Sequence, residues 1–316
     1  MRCFNGIKMM IDPGGVSLTM RIAFVHNSKA FLPEVAAYTR YFSKLGYECE
    51  VVTPEELLKL KPDVAWHFMG MDRQAQQSVF TIHEYTSASM PPFADFKDVA
   101  KKILNVKPHY RLFLNEYVKK CFAFSDNVPY GYRDMGVNAD WLTLETVPDN
   151  EKDYDFIYVG ALKNRNIEDL LDLFKKPDLA KHSVLVLSSS YAHFQNKYEE
   201  VGIIEFLGPV PHEELHEYIR SARYAINFMP NIEPFNKQTS TKFLEYCACK
   251  VPVITSDYEW VRKFEEKYGG RYFYLKDDST WDDITNFKYE FPDLSQWTWE
   301  KQIERSGIVE VLEKLR

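Results

Sequence analysis

Short apolar runs alternate with longer amphipathic stretches along most of this chain, and that alternation leaves few folds open. In the first half, Arg21–His26, Glu48–Val52, Asp63–Phe68, Ser78–His83 and Arg111–Asn115 read as strands. Pro33–Leu45 reads as a helix, with Pro33 suited to its first turn and Gly46 to its end. A second set opens at Tyr154, with strands over Asp155–Val159, Ser183–Leu187, Ile203–Phe206, Tyr224–Phe228 and Val251–Thr255. Helices fall between them at Ile167–Phe174, near Ala192–Glu200, at His212–Ser221 and at Thr241–Cys249, and Glu300–Arg316 reads as one more. Strands alternating with helices argue for βα units and parallel sheets. A polar break, Val147–Asp153, separates the two sets. The sequence thus predicts an α/β protein of two Rossmann-like domains, 20–150 and 151–316, facing a central cleft, with ligand at the carboxyl ends of the strands. Residues 1–19 read as an extension, because Met20–Val25 is the first segment that opens a strand.

Composition removes several classes of function. The 316 residues are enough for two ordinary domains. A formal net charge of −7 argues against a general polyanion binder, so no nucleic-acid partner is expected. No apolar window reaches the roughly 18 residues of a membrane span. The N-terminus lacks a secretory apolar core, and Asp12-Pro13-Gly14-Gly15 interrupts it. Five cysteines without paired spacing fit no disulfide framework, which points to a reducing cytoplasm. Asp153-Tyr154-Asp155 precedes its strand, the wrong end for a metal-bound nucleotide, and the histidines lack metal-ligand spacing. No metal or other cofactor is expected. There is no Walker-type phosphate loop and no Gly-x-Ser-x-Gly elbow.

The residues that carry chemistry cluster in the second half. Thr239, Ser240 and Thr241 stand where a helix begins, and unpaired amide donors there favour a diphosphate. Glu245 follows Thr241 by four residues, on the same helix face and about 6 Å along the axis. A carboxylate at that place can accept both hydroxyl protons of a ribose. A capping box from Thr241 would need its acid at position 244, which is Leu244. Gly160 allows a phosphate to approach the backbone, and Lys163 and Arg165 follow it as candidate charge neutralisers. The plain alternatives are a solvent-facing Glu245 and an ordinary solvated loop at Lys163–Arg165.

The run Glu205–Leu215, then Asn227-Phe228-Met229-Pro230, then Thr239–Ile254, preceded by Tyr158–Arg165, resembles the donor-binding half of GT-B glycosyltransferases, family 4 or group 1. The resemblance covers most of residues 154–256. It implies a nucleoside diphosphate sugar, UDP first and GDP second, held by Gly160, Lys163, Arg165, Thr239, Ser240, Thr241 and Glu245. Many members carry two glutamates separated by seven residues. The second corresponds to Glu245, but the first position holds Lys237, which leaves Lys237 or Asn236 to face the sugar and the stereochemical outcome open. In the first half the resemblance implies that His83 reaches the donor sugar or moves a proton, with Glu84 as second choice of base. A structural histidine at the sheet edge is the alternative.

A basic stretch, with Lys97, Lys101, Lys102, Lys107, Arg111, Lys119 and Lys120 beside Phe93, Phe96, Val99, Ile103 and Leu104, fits an anionic membrane surface or a solvated helix over a core. Together these readings predict a metal-independent, cytoplasmic glycosyltransferase, peripheral to the membrane in one version. Its acceptor is a glycan or glycolipid, in bacterial surface polysaccharide or lipopolysaccharide synthesis. A nucleotide-sugar epimerase and a non-catalytic binding subunit are the alternatives.

Overall fold

The computed structural model describes residues 19–26, 32–68, 72, 79–89, 93–163 and 165–316. The expected extension lies outside them except for Thr19, as do Ser78 and Asn164. The chain divides into two compact units. Unit 1 is Met1–Arg133 with Ile303–Arg316, and unit 2 is Asp134–Gln302.

Unit 1 contains β1 (Arg21–Val25), α1 (Pro33–Lys44), β2 (Glu48–Val52), α2 (Pro54–Leu57), β3 (Val64–Phe68), β4 (Phe80–Tyr85), α3 (Ala94–Leu104), β5 (Tyr110–Phe113), α4 (Glu116–Phe122) and β6 (Tyr130–Tyr132). The sheet order is β2-β1-β3-β4-β5-β6, with every neighbouring pair parallel. Helices on both faces of a parallel sheet bury its central strands, and here β4 carries the polar Thr81, His83 and Glu84 into that burial. Aromatic rings fill one side, where Tyr38 of α1 tilts against Trp66 of β3 with centroids 4.4 Å apart. Local caps fix the helix starts. Thr53 and Glu56 form a capping box on α2, and the Asn115 side chain accepts from the Val118 amide at the start of α4.

Unit 2 contains β7 (Tyr154–Val159), α5 (Ile167–Leu173), β8 (Val184–Leu187), α6 (Ala192–Lys197), β9 (Ile204–Leu207), α7 (Leu215–Arg220), β10 (Ala222–Asn227), α8 (Thr241–Ala248), β11 (Val253–Thr255), α9 (Glu259–Tyr268), β12 (Phe273–Tyr274) and α10 (Trp281–Asn286). Its strands run β12-β11-β10-β7-β8-β9, again all parallel. The chain builds outward from β7 to β9, then returns to place β10 on the other side of β7. Strand order therefore reverses between β7 and β10, and the loops leaving their carboxyl ends diverge there to leave a crevice. The expectation of two Rossmann-like α/β halves holds.

Two differences from the sequence reading concern the chain's path. The division falls at Arg133–Asp134, earlier than the polar break at 147–153, because Arg133 is fully buried between carboxylates of unit 1. The expected helix 300–316 is two helices, α11 (Trp299–Arg305) and α12 (Ile308–Glu313), broken at Gly307, whose φ is +71°. The segment from Ile303 onward returns to unit 1. Ile303, Ile308 and Leu312 join the cluster of Phe24, Tyr38 and Trp66, and Arg316 lies 4.0 Å over the Tyr47 ring. Gly131 of β6 permits this return, since a Cβ there would run into the Ser306 carbonyl oxygen.

Candidate functional site

The crevice where strand order reverses in unit 2 is lined by the end of β7, the end of β10 and the start of α8. A buried polar hub aligns these elements. Asn227, at the end of β10, donates to Thr255 Oγ1 at 3.0 Å and to the Tyr258 hydroxyl at 2.9 Å, and accepts from the Ser240 hydroxyl at 2.8 Å. The Val159 amide donates to the Tyr246 hydroxyl at 2.9 Å, which ties α8 to β7. Gly160 follows at φ +131°, and a Cβ on it would lie 4.0 Å from Lys242 Cδ. Backbone, helix start and lysine stem thus converge within van der Waals range.

Of the three hydroxyls expected at the helix start, two are engaged by the protein. Ser240 is the N-cap residue but directs its hydroxyl into the hub, so it makes no side-chain cap. Thr239 donates to Asp134. Thr241 has no hydrogen-bond partner among the described residues and is half-buried at the first position of α8. Glu245, one turn on, is 6% exposed, and its Oε1 stands 2.7 Å from His212 Nε2. The His212 ring packs on Trp141, with centroids 5.3 Å apart. The structure therefore does not leave Glu245 on a solvent face. His212 was not a sequence candidate, although it lies within the Glu205–Leu215 run.

The cations differ among themselves. Lys163 is exposed on the turn after Gly160. Lys237 forms an ion pair with Glu259, which also binds Lys263, so its charge is already answered. Arg165 lies 3.9 Å over the Phe235 ring and touches Met229 Sδ. Lys242 places Nζ 4.0 Å over the Tyr158 ring and donates to the Phe228 carbonyl at 3.1 Å. Burial, and then the charge of Arg165, push the Lys242 ammonium well below its ordinary range, and burial also lowers Arg165. Among the described residues neither has a carboxylate partner. Sequence reasoning missed Lys242, because a lysine in Thr-Lys-Phe-Leu-Glu reads as a solvated helix position.

At the start of β7, Asp155 accepts from the Ser183 amide and meets His182 and Arg223. These contacts brace the amino end of the strand, away from the crevice.

In unit 1 the two expected catalytic residues lie on opposite faces of β4, as adjacent strand residues must. His83 is fully buried, with Nε2 2.9 Å from Asp72 Oδ2 and no hydrogen-bond partner at Nδ1. His67 of β3 approaches the same Asp72 oxygen at 3.7 Å. Burial lowers His83, and pushes His67 down to about 4 against the pull of Asp72. Both rings are therefore neutral near pH 7. Glu84 accepts from Arg133 Nε at 2.8 Å, Trp66 Nε1 at 2.7 Å and the Tyr38 hydroxyl at 3.2 Å. This buried carboxylate is held by three donors of unit 1, the company of a counter-ion. The basic stretch also resolves. Phe93, Phe96 and Ile103 on and beside α3 are 78%, 74% and 73% exposed, so they do not pack on a core.

The family model described as glycosyl transferases group 1 matches residues 153–280, which lie within unit 2. No curated protein matches in sequence. Solved structures do match in fold. AviGT4, a glycosyltransferase involved in avilamycin A biosynthesis, has a TM-score of 0.56 at 13% identity over 93% of this chain and 95% of that one. Anabaena HepE, solved with UDP and glucose, has 0.57 at 10% identity over 94% and 92%. An alpha-glucosyltransferase solved with UDP and a DNA 13-mer has 0.60 at 11% identity over 94% and 100%. The fold they share with this chain is the GT-B arrangement of two parallel α/β sheets.

Proposed function

We propose that this GT-B chain, whose second unit matches the group 1 glycosyl transferases, moves a sugar from a nucleoside diphosphate donor to a glycan or glycolipid acceptor. The observation that carries this reading is the crevice of unit 2, where cations without carboxylates lie beside a helix start and a buried glutamate. A diphosphate there meets Gly160, the first amides of α8, the free Thr241 hydroxyl, Arg165 and the exposed Lys163. Glu245, oriented by His212, accepts from the ribose hydroxyls. Ser240 and Thr239 serve by holding the scaffold, and the Lys237–Glu259 pair leaves Lys237 a weak candidate for the sugar. The protein's contribution to rate is charge stabilisation on the leaving diphosphate.

UDP is the first choice of donor nucleotide, in keeping with the UDP found in HepE and the alpha-glucosyltransferase. No step in this reading requires a metal. His83 stays as the proposed proton acceptor. If Nε2–H donates to Asp72, Nδ1 keeps a free lone pair, although contact with substrate requires that the cover over the ring move. Calorimetric titration of UDP, GDP, ADP and CMP, with and without manganese, tests the donor site. We expect one diphosphate to bind without a metal effect and Glu245→Ala to lose it. Binding that needs manganese and ignores Glu245 overturns the assignment. Turnover of the donor sugar without any acceptor would favour an epimerase, and binding without turnover a non-catalytic subunit.

The exposed rings beside α3 support a lipid-linked acceptor. Phe93, Phe96, Val99 and Ile103 stand out with Lys97 and Lys107, the pairing that inserts side chains among anionic headgroups. In this reading the enzyme works at the cytoplasmic membrane face, as in synthesis of bacterial surface polysaccharide or lipopolysaccharide. Among the described residues no helix is long and apolar enough to cross a membrane. The chain should sediment with anionic vesicles, and Phe96→Asp with Ile103→Asp should leave it in the supernatant. Equal sedimentation of the two proteins removes this version.

A further inference from the structure

The helix α3 is seated with its apolar side outward. Phe96, Val99 and Ile103, spaced to share one helix face, are exposed, and Phe93 stands out just before them. Among the described side chains of α3 the buried one is Asp98. Its Oδ2 lies 3.5 Å from the Ser89 amide, and its Oδ1 has no hydrogen-bond partner. Lys101 Nζ donates to Ser89 Oγ at 3.1 Å, and Lys102 donates to the Ala123 carbonyl. The helix starts without a side-chain cap, on Phe93 at φ +64°, a region that bulky residues seldom adopt. Few buried apolar contacts mark an element that opens locally before the rest of its domain. The end of α3 also secures the cover over His83. Its C-cap residue, Asn105, accepts from the Asp72 amide at 2.8 Å, and the Val106 amide donates to the Asp72 carbonyl at 2.9 Å. Asp72 in turn stands 2.9 Å from His83 Nε2, so helix end, aspartate and buried ring form one chain of contacts.

We propose that α3 is a lid worked by an anionic bilayer, which lifts the helix from its seat and draws Asp72 off His83. The inference rests on the readings above of His83 and of a lipid-linked acceptor, and adds the regulation of that site. A ligand shifts an equilibrium only through a difference in its affinity for the two states. Lipid phosphates supply that difference. With the lid seated, Lys97 and Lys107 are exposed, while Lys101 and Lys102 are half-buried on Ser89 and Ala123. A lifted helix gives all four to the headgroups and keeps Phe96, Val99 and Ile103 in the acyl boundary. Away from a bilayer the lid stays down and His83 meets no water, so the ring opens only where a lipid-linked acceptor can arrive.

Labelling of histidines by diethylpyrocarbonate, mapped by mass spectrometry on the full chain, reads the lid without any assay of turnover. The exposed His193 of unit 2 is the reference. His83 should be labelled slowly in buffer, and at least about 10-fold faster with vesicles of phosphatidylglycerol and phosphatidylcholine, as local opening predicts. Vesicles of phosphatidylcholine alone should leave it slow. Phe96→Asp with Ile103→Asp should abolish the increase. Asn105→Ala, which loosens the clasp on Asp72, should speed labelling with no vesicles present. Wild type that sediments with anionic vesicles while His83 stays slow overturns the lid and leaves the membrane reading intact. Wild type that does not sediment takes down both. Opening by neutral vesicles to the same extent, labelling in buffer as fast as His193, or no gain in Asn105→Ala also overturns the lid. Should a variant fail to fold, the comparison of vesicles on wild type still decides.

Discussion

Arg133 in unit 1, fully buried, and the half-buried pair Arg165–Lys242 in unit 2 keep opposite company. Arg133 lies between two buried carboxylates, Glu84 and Glu34, with the Tyr38 hydroxyl accepting from Nε at 2.9 Å. Burial raises Glu34 above the usual carboxylate range, and the carboxylates raise Arg133 further above its own. In that cluster the one guanidinium meets two carboxylates within the fold, and Glu34 keeps Oε2 without a hydrogen-bond partner. Arg165 and Lys242 have aromatic rings, a carbonyl and a thioether, and no anion among the described residues. The difference separates charge answered within the fold from charge that the proposed function assigns to a ligand. Glu84, a glutamate on a strand next to a candidate histidine, belongs by its contacts to the first kind.

The contrast can be broken most forcefully at Arg133. Arg133→Met strands two buried carboxylates and should destabilise unit 1 by about 3–5 kcal/mol, read from chemical unfolding. A loss below about 1 kcal/mol would place Arg133 in the same class as Arg165. The next effect is acid sensitivity. The folded chain refuses a proton at His67 until about pH 4, while the unfolded chain takes it near 6.5. Stability is therefore fully present above about pH 6.5 and falls as pH drops through that window, by on the order of 3 kcal/mol. His67→Leu should flatten the slope of unfolding midpoint against pH, and an unchanged slope would assign the acid loss elsewhere. The smallest effect has the opposite sign. Arg165→Met should leave stability within about 1 kcal/mol of wild type, on the stabilising side, while weakening UDP. A large destabilisation by this variant would show that the guanidinium holds the fold, and the two clusters would cease to differ in kind.

The strands and most helices were legible because periodicity survives in single residues. Apolar runs of four to six mark β1 to β5 and β7 to β11 within a residue or two, whereas β6 and β12 are too short to register. The α8 start and Glu245 were legible through the spacing of one helical turn. Adjacent strand residues point to opposite faces, so His83 and Glu84 could not both serve one site, and that much was available from sequence. Other features were not. The burial of Lys242 depends on Tyr158, 84 positions away in sequence, and on the register that brings β7 beside β10. The hydroxyl of Ser240 turns inward because Asn227 awaits it, a fact of packing that no local pattern records. The division at Arg133 stayed hidden because a long-range ion cluster sets it rather than a polar linker.

The return of Ile303–Arg316 to unit 1 fixes an order of events during synthesis. A ribosome that has translated as far as Arg133 has made a sheet without Ile303, Ile308 and Leu312, three fully buried members of its core. Unit 2 has its whole complement once Gln302 leaves the exit tunnel, so the domain made second can finish first. Until Ile303–Arg316 emerge, the aromatic side of Phe24, Tyr38 and Trp66 lacks its cover, which leaves it open to chaperones and proteases over that interval.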